Sequence, residues 1–437
     1  MDKTTEDPPT LASLVPRGLA HGRIFTDEKI YSLEIQRLFR RAWLYIGHES
    51  EVSSVGDYVL KDVAEEPLIV TRGEDGVVRV LINRCRHRGS TVCQATTGNA
   101  TYFRCHYHGW TYSSSGDLVG LPHPDAYGVE GLDRVTYGLS TLPRLDTYRG
   151  FIFGSFSGGG VSLRDHLGEA AHLIDAFCDA SPLGSVSLSA GVQRTKFMGN
   201  WKFVGMDGYH APSVHKSVKE LVDTRTVTKR ELWKEDKEHG RNYAASLGGG
   251  HARLFEEKRN VNSAHGIVGD ASIPQVARDE YIASMRAAYG SDADRNMASS
   301  QPHVAVFPNL QLIGNHVRTV RPRGAGLTEV DLYPALLDGV PAEINRSRIQ
   351  AHSWFYGPAG FGQPDDAEVF ERCERGLSGS DPWVLLSRGL HREETDDRGV
   401  TIGNRTDEVT QRAQLSEWLR YVETPIGTEL PDRVASR

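Results

Sequence analysis

The stretch CRHRGSTVCQATTGNATYFRCHYHGW (residues 85–110) concentrates cysteines and histidines in one short run. Its spacing is Cys85-x-His87, then seventeen residues, then Cys105-x-x-His108. Two thiolates and two imidazoles are typical ligands of more than one kind of metal site. The spacing and the surrounding chain therefore have to decide which metal the stretch binds.

Tetrahedral zinc is the ordinary site for two cysteines and two histidines. Zinc fingers place a cysteine pair in one half of the motif and a histidine pair in the other, whereas here each half supplies one of each. Both halves also fall on predicted turns between strands, where no helix carries a histidine pair. One cysteine and one histidine on each of two loops suit two irons, with both thiolates on one iron and both imidazoles on the other. A zinc site is the alternative.

The stretch closely resembles the Rieske motif, including the glycine that follows each half. The resemblance implies a [2Fe–2S] cluster, in which two histidines replace two cysteines on one iron. The implied ligands are Cys85 and Cys105 on the inner iron and His87 and His108 on the outer iron. His106 lies off the spacing, and we expect it to face solvent or to form a hydrogen bond.

Short strands are predicted around this motif. From Gly56 to Tyr112, alternating apolar runs are separated by turn signals such as GEDG and SSSGD. A further strand, RGFIFGSF, ends near Ser157, and the glycine triplet at 158–160 predicts a linker. These patterns predict a small all-β domain over residues 44–157.

A helix is predicted to precede this domain. Thr26 is its expected cap, and Asp27 and Glu28 suit the positive end of the helix dipole. The apolar stripe consists of Ile30, Tyr31, Leu38 and Ala42. We therefore interpret residues 1–43 as an N-terminal segment with an entry helix.

The rest of the chain, residues 158–437, mixes strand and helix patterns. Alternating runs such as HVAVFPNLQLIGNHVRTVRP and LTEVDLYPAL predict paired strands, and PAEINRSRIQAHSWFYG, DDAEVFERCERGL and EVTQRAQLSEWLRYV have the helical period. Strands followed by helices indicate an antiparallel sheet surrounded by helices. The predicted fold class is α+β, with the small β domain inserted near the N-terminus of a larger catalytic domain.

A second motif, GNWKFVGMDGYHAPSVHKS, lies in this larger domain. It contains Asp207-x-x-His210, followed after four residues by His215. Two histidines and one carboxylate form the facial triad of non-haem Fe(II) oxygenases, which leaves positions open for O₂. Taken alone, the histidine pair is more commonly explained by two partly buried structural histidines, and its position downstream of the Rieske motif reverses that preference.

Together, the two motifs resemble the α subunit of Rieske aromatic-ring-hydroxylating dioxygenases, the terminal oxygenase component of these systems. The shared residues of the second motif are Asn200, Trp201, Lys202, Asp207, Tyr209, His210 and His215. The spacer FVGM is shorter than in many relatives by about one helical turn, ~3.6 residues. This difference leaves the ligand face possible but changes the expected wall of the substrate pocket.

The resemblance implies a mononuclear Fe(II) bound by His210, His215 and one further carboxylate. We predict Asp366 as that ligand, because the loop FYGPAGFGQPDDAEVFERCE resembles the loop that carries it in relatives. Asp365 is its expected capping neighbour, and plain helix capping by both residues is the alternative. Asp207 is predicted to bridge the metal centres by accepting hydrogen bonds from His210 and from His108 of a neighbouring subunit.

The function implied by the resemblance is NADH-driven hydroxylation of an aromatic ring, with cis-dihydroxylation as the expected reaction. Electrons would arrive through a separate ferredoxin or reductase, and the expected assembly is a homotrimer or an α3β3 complex with a β subunit. Two alternatives remain open. One is a Rieske monooxygenase or oxidative demethylase, and the other is a Rieske electron-transfer protein without a catalytic iron.

The composition of the chain limits the classes of partner that we expect it to bind. The net charge of −7 and the lack of a basic block argue against nucleic acid and anionic lipid. The sequence contains no secretory signal at its start and no apolar run long enough to span a bilayer. Five sparse cysteines indicate reduced thiols, with Cys93, Cys178 and Cys373 as small buried hydrophobes, so we expect a cytoplasmic protein.

The substrate is not identified by the sequence. The segments expected to line the pocket are 198–206, 218–260 and 303–320. They mix apolar residues with Asn309, Asn315 and His316, and no arginine stands out as a carboxylate ligand.

Overall fold

The computed structural model of the chain describes residues 10–128, 131–207, 242–256, 267–298, 303–360, 362–380 and 382–431. The chain divides into two compact units. The smaller unit contains Arg40–Gly159 and Ser187–Ser189, and the larger contains Met1–Phe39, Gly160–Val186 and Ala190–Arg437. The smaller unit is thus inserted into the larger, which confirms the predicted fold class. The domain limits at 44, 157 and 158 stay predictions.

The N-terminal arm belongs to the larger unit. It forms strand β1 (Leu19–His21), helix α1 (Arg23–Thr26), helix α2 (Glu28–Glu34) and a π-helical turn (Ile35–Phe39). The predicted cap is wrong, since Thr26 ends α1 and Asp27 caps α2 by accepting a hydrogen bond from the N–H of Lys29 over 2.9 Å. All four residues of the predicted apolar stripe are buried, Ile30, Tyr31 and Leu38 in the larger unit and Ala42 in the smaller.

Antiparallel sheets make up the described part of the smaller unit. Their strands are β2 (Leu44–His48), β3 (Asp57–Val63), β4 (Glu66–Arg72), β5 (Val78–Ile82), β6 (Thr97–Asn99), β7 (Tyr102–Arg104), β8 (Thr111–Ser113), β9 (Leu118–Gly120), β10 (Arg144–Tyr148) and β11 (Phe151–Ser155). They are ordered β5-β4-β3-β6, β7-β8-β9 and β10-β11-β2. One buried core includes Ile69, Leu81, Phe103 and both predicted cysteine ligands.

The larger unit carries most of the helices. After α2 they are α3 (Leu163–Leu167), α4 (Ala170–Cys178), α5 (Trp201–Asp207), α6 (Gln275–Tyr289), α7 (Ala293–Ala298), α8 (Ala342–Tyr356), α9 (Gly362–Leu377) and α10 (Val409–Glu423). Among these described helices, none has the length and apolar character required to cross a membrane. The three C-terminal helices occupy the positions that the sequence predicts.

The remaining strands follow β11 in the chain. They are β12 (Val186–Ser187), β13 (Gln193–Phe197), β14 (Asn242–Ser246), β15 (Ala252–Glu256), β16 (His303–Val306), β17 (Leu310–Ile313), β18 (His316–Gly324), β19 (Leu327–Pro334), β20 (Leu336–Leu337), β21 (Trp383–Leu385), β22 (Glu394–Thr395) and β23 (Thr401–Asn404). Nine form one antiparallel sheet in the order β13-β19-β18-β17-β16-β15-β14-β23-β22. This sheet is the predicted one.

Register places polar residues on one face of this sheet. Gln311 on β17 lies opposite Arg318 on β18, and Ile313 lies opposite His316. Because side chains alternate along a strand and paired residues share a face, Gln311, His316 and Arg318 point to the same side. All three are buried.

Candidate functional site

Two loops of the smaller unit carry the four predicted cluster ligands, and they have the same backbone hydrogen bonds. The N–H of Gly89 donates to the carbonyl of Cys85 over 2.9 Å, and the N–H of Gly109 donates to the carbonyl of Cys105 over 3.0 Å. In each loop the cysteine N–H donates to the carbonyl five residues later, over 2.8 Å. Both glycines have φ values, +80° and +75°, that other residues adopt only with strain.

The loops bring the cysteines together and the histidines together. Cys85 and Cys105 are buried, each 3% exposed, and their thiols contact each other. His87 and His108 lie half-buried with ring centroids 4.6 Å apart. The Nδ1 of His87 is buried and has no hydrogen-bond partner among the described residues, so its lone pair is available to a metal. The arrangement fits two irons, an inner one on sulfur and an outer one on nitrogen.

Neighbouring side chains fix both kinds of ligand. The hydroxyl of Tyr112 lies 3.3 Å from Sγ of Cys85 and accepts a hydrogen bond from the N–H of Arg86 over 3.0 Å. The ring of Trp110 stacks on His87, with centroids 5.1 Å apart and planes within 5°. Burial raises the pKa of the Cys85 thiol, a cost that a bound metal offsets because it stabilises the thiolate.

The residues that the sequence excludes from the cluster have other roles or are exposed. Oδ1 of Asn83 accepts hydrogen bonds from the backbone N–H groups of Val92 and Cys93, both over 2.9 Å. Cys93 is thereby a buried structural residue, as is Cys178 in the larger unit, whereas Cys373 is only partly buried. His106 is exposed.

The donor geometry also bears on the zinc alternative. A tetrahedral zinc site needs four converging ligands, whereas a [2Fe–2S] cluster takes only two protein ligands on each iron. Cys85 contacts Cys105, and the His87 ring packs against the His108 ring, so the donors are paired by kind in a way that suits two irons.

The second predicted metal site is only partly described. Asp207 is the last residue of α5, while His210 and His215 lie outside the described residues. Asp366 lies near the start of α9 and is partly buried. This helix begins at Gly362, so Asp365 lies within the first turn and not at the cap.

Direct contacts join the helix with Asp366 to the helix with Asp207. Oε1 of Glu371 in α9 accepts a hydrogen bond from the N–H of Met198 over 2.9 Å, and Oε2 of Glu374 accepts one from the N–H of Asn200 over 3.1 Å. The rings of Phe370 and Phe203 stack, with centroids 6.1 Å apart. These contacts join the start and middle of α5 to the middle and second half of α9, so the two helices that carry Asp207 and Asp366 pack directly against each other.

Comparison with known proteins gives two family matches. A model described as the Rieske [2Fe-2S] domain matches residues 42–145, and one described as the ring hydroxylating alpha subunit (catalytic domain) matches residues 185–413, more than half of the chain. The chain belongs to the α subunits of Rieske ring-hydroxylating oxygenases. The matches show a Rieske domain in place of a zinc domain, and they show that a ring-hydroxylating catalytic domain follows it, which argues against an electron-transfer protein without a catalytic iron.

The relatives of this α subunit differ in their reactions. It is 31% identical to the N,N-dimethyl phenylurea N-demethylase subunit alpha of Sphingobium sp. (strain YBL2), over 95% of this chain and 94% of the relative. It is 30% identical to the 2-halobenzoate 1,2-dioxygenase large subunit of Burkholderia cepacia, over 84% and 79%. A naphthalene 1,2-dioxygenase structure with indole in its active site, 24% identical, shows the same fold with a TM-score of 0.81 over 95% and 94%.

One residue of this α subunit that the sequence analysis missed is Glu34. It is fully buried, and Oε2 accepts a hydrogen bond from Nε1 of Trp201 over 2.8 Å. Oε1 accepts from Nζ of Lys202 over 2.5 Å and from Nε1 of Trp418 over 2.7 Å. The signal was a glutamate four residues after Ile30, on the predicted apolar stripe. Trp201 and Lys202 of the shared motif therefore anchor the start of α5.

A second missed feature is a group of buried polar residues on the sheet face. The ring of His316 lies 5.0 Å from that of His352 and 4.2 Å from that of Tyr356, between centroids, and both partners belong to α8. The guanidinium carbon of Arg318 lies 5.8 Å from the Tyr356 ring centre. We call His316, Arg318 and His352 the buried triad. His316 was predicted from the sequence as a polar residue of the pocket lining, whereas Arg318 was not singled out.

Proposed function

We propose that this α subunit is the terminal component of a multicomponent oxygenase that hydroxylates an aromatic substrate by cis-dihydroxylation. The observation that carries the proposal is the pair of matched Cys/His loops in the same chain as a ring-hydroxylating catalytic domain. When bound, the Rieske cluster supplies single electrons and the mononuclear Fe(II) supplies open positions for O₂. The dioxygenase relative supports this reaction.

The proposed metal ligands are those that the sequence predicts. Cys85, His87, Cys105 and His108 bind the cluster, and the paired loop geometry supports this set. The proposed Fe(II) ligands are His210, His215 and Asp366. Asp207 is proposed to hold the imidazole N–H groups that the metals leave free, since carboxylates commonly orient ligand histidines in this way.

A second candidate reaction is oxidative N-demethylation. The demethylase subunit matches 95% of this chain at 31% identity, a broader match than that of the 2-halobenzoate dioxygenase. Both reactions use the same pair of metal centres, so the substrate pocket decides between them. Product analysis separates the two, because one yields a cis-diol and the other formaldehyde.

The proposed partners follow from the family. An α subunit of this kind needs a ferredoxin or an NADH-dependent reductase as electron source, and we propose a homotrimer or an α3β3 assembly. We also propose a cytoplasmic location. All five cysteines are present as thiols and not as disulfides, as expected for a protein of a reducing compartment.

The test combines metal counting with turnover. Purified protein should contain about three irons per chain, as one [2Fe–2S] cluster and one mononuclear site require, and show the anisotropic EPR signal of a reduced Rieske centre. His210→Ala should lose about one iron and all turnover with reductase, NADH and aromatic substrate, yet keep the Rieske signal. His172→Ala, at an exposed histidine, is the control. Full activity in His210→Ala would contradict the proposal.

Asp207 has its own test. In Asp207→Asn, both metals should be retained while the reduced Rieske centre is reoxidised far more slowly with substrate and O₂ present, because the hydrogen-bonded connection is lost. Rapid mixing followed by visible absorbance measures the rate. A variant with full iron content and wild-type reoxidation would reduce Asp207 to a structural carboxylate.

A further inference from the structure

The buried triad lies where the sheet meets α8. His316 and Arg318 project from the same face of β18, because they are two residues apart on one strand. His352 lies on α8, one helical turn before Tyr356, and packs against His316. The exposed fractions are 0%, 2% and 0% for His316, Arg318 and His352, so all three are removed from bulk water.

The triad has many hydrogen-bonding atoms without partners. Within the described residues, neither nitrogen of His316, neither nitrogen of His352, nor Nε of Arg318 has a hydrogen-bond partner. Buried polar atoms in native proteins are almost always paired. Five unpaired atoms on three adjacent side chains indicate a place for a ligand and not a local packing defect.

The charge of the triad specifies the ligand further. Arg318 has no ion-pair partner among the described acidic residues, and its hydrogen bond from Nη1 to Oε1 of Gln311 is long at 3.4 Å. On the same strand, Arg321 pairs with Asp331 over 2.8 Å and Arg323 pairs with Glu329 over 2.9 Å. A guanidinium keeps its charge in proteins, and a buried charge is costly unless it is paired. Arg318 therefore needs an anion.

The two imidazoles are suited to the same ligand. Burial, with Arg318 nearby, lowers the pKa of His352 to about 4, and burial, Arg318, His352 and His303 lower the pKa of His316 well below its ordinary value. Both rings are therefore neutral near pH 7. Each neutral ring keeps one N–H donor for an anionic oxygen without adding a second buried charge.

The triad adjoins both elements that lead to the proposed iron ligands. Gln311, the partner of Arg318, donates from Nε2 to the carbonyl of Val204 in α5 over 2.9 Å. α8 ends at Tyr356, and α9 with Asp366 begins six residues later at Gly362. Gln363, in the first turn of α9, is 1% exposed, and its amide atoms have no partner in the described part of the chain. A ligand held by Arg318 thus lies beside α5, close to the start of α9.

We propose that Arg318 binds the carboxylate of an aromatic acid substrate, with His316 and His352 as additional hydrogen-bond donors. The inference rests on the proposed function for the presence of an aromatic ring, but the anion-binding triad is independent of it. A guanidinium binds a carboxylate through two parallel N–H···O bonds, which fixes the orientation of the ring as well as its charge. The substrate class is therefore aromatic carboxylates and not neutral arenes.

The experiment measures binding and not turnover. Dissociation constants are determined by calorimetry on the iron-loaded, oxidised full-length protein without reductase, with two matched pairs of probes, benzoate against benzamide and 1-naphthoate against 1-naphthamide. Each pair keeps its ring and exchanges the charge. We expect at least one carboxylate to bind about thirtyfold or more tightly than its amide, as for a buried charge pair. Equal constants within each pair, or no carboxylate binding, would overturn the proposal.

Variants then test whether Arg318 is the residue that causes the preference for carboxylates. Arg318→Gln should abolish the preference for the carboxylate over the amide, and Arg318→Lys should keep part of that preference, because the charge remains but the paired donors are lost. Arg323→Gln is the matched control, since it removes an arginine from the same strand. The Rieske spectrum and thermal unfolding check that each variant is folded. A carboxylate preference that survives in Arg318→Gln would overturn the assignment of Arg318.

Failure of this inference is distinct from failure of the proposed function. If the enzyme oxygenates toluene or naphthalene and binds both members of each pair equally, the triad has no carboxylate role and the oxygenase assignment stands. If carboxylates bind through Arg318 but no aromatic compound is oxygenated, the triad stands and the oxygenase assignment fails.

Discussion

Two buried polar groups in the larger unit differ in one respect. Around Glu34, each carboxylate oxygen accepts at least one hydrogen bond, and its charge is paired with that of Lys202. In the buried triad, no described acidic residue pairs with Arg318, and neither His316 nor His352 has a hydrogen-bond partner in the described chain. Both groups are removed from water, so exposure does not explain the difference.

The difference separates a structural role from a binding role. A fully paired buried charge fixes one arrangement of the chain, because breaking any pair leaves an unsatisfied group. An unpaired buried charge lowers stability, and folded proteins retain such groups where a ligand completes them. A buried charged residue therefore has a structural role where it is paired, as Glu34 is at the start of α5, and a binding role where it is not, as we propose for Arg318.

The largest expected change in the free energy of unfolding is at Glu34. Glu34→Ala leaves the buried Lys202 ammonium without its hydrogen-bonded carboxylate, and removal of one member of a buried pair costs about 3–5 kcal/mol in the free energy of unfolding. Thermal or denaturant unfolding measures the loss. Glu28→Ala, at an exposed glutamate of the same helix, should change stability little. Similar small losses in both variants would contradict the anchoring role.

Arg318→Met should not lower the free energy of unfolding, in contrast to Glu34→Ala. It removes a buried charge that lacks a described partner and replaces it with an apolar side chain, so the ligand-free protein should keep or gain stability, by up to about 2 kcal/mol. The melting temperature without and with benzoate measures this, and the rise caused by benzoate should disappear. A loss as large as that in Glu34→Ala would show that Arg318 is already paired within the chain.

His352→Phe should reduce the loss of stability that the wild type shows as the pH falls below 7. Its folded pKa of about 4 lies below the ordinary 6.5, so the unfolded chain binds the proton first as the pH falls. In the wild type, the contribution of neutral His352 to the free energy of unfolding is fully present above about pH 6.5. This contribution decreases by about 2 kcal/mol as the pH falls to 5. Arg318, His316 and Tyr356 surround the ring and stay in place in the variant. Unfolding at pH 7 and pH 5 should show a smaller difference in His352→Phe, and an unchanged difference would contradict the assignment.

The smallest expected effect is at Gln363. Gln363→Met removes a buried amide without a described partner and should stabilise the protein by about 1 kcal/mol. The control is Gln94→Met, because Gln94 is exposed. The buried Gln411 is not used as a control, since its amide oxygen accepts a hydrogen bond from Thr410. Denaturant unfolding distinguishes the two variants. Destabilisation by Gln363→Met would show that the amide is paired within the chain.

Much of the fold was predictable because its signals are local. The strands around the cluster and the helices α8, α9 and α10 follow from periods of two and of about 3.6 residues, which need only neighbouring residues. Errors also arose locally: Thr26 and Asp27 are both good caps, and only the end of α1 at Thr26 decides between them. Asp365 lies in the first turn because α9 begins earlier, at Gly362.

The sequence by itself determined the two cluster loops. Each ligand pair lies within four consecutive residues, and a glycine in the left-handed conformation closes each turn, so spacing alone places a thiol and an imidazole together. Only the tertiary structure decided the partners of Glu34 and Arg318. Trp201 and Trp418 are 167 and 384 residues away from Glu34 in the chain, and no local period relates such positions. Whether a buried charge is paired depends on sheet register and helix packing, which bring distant residues into contact.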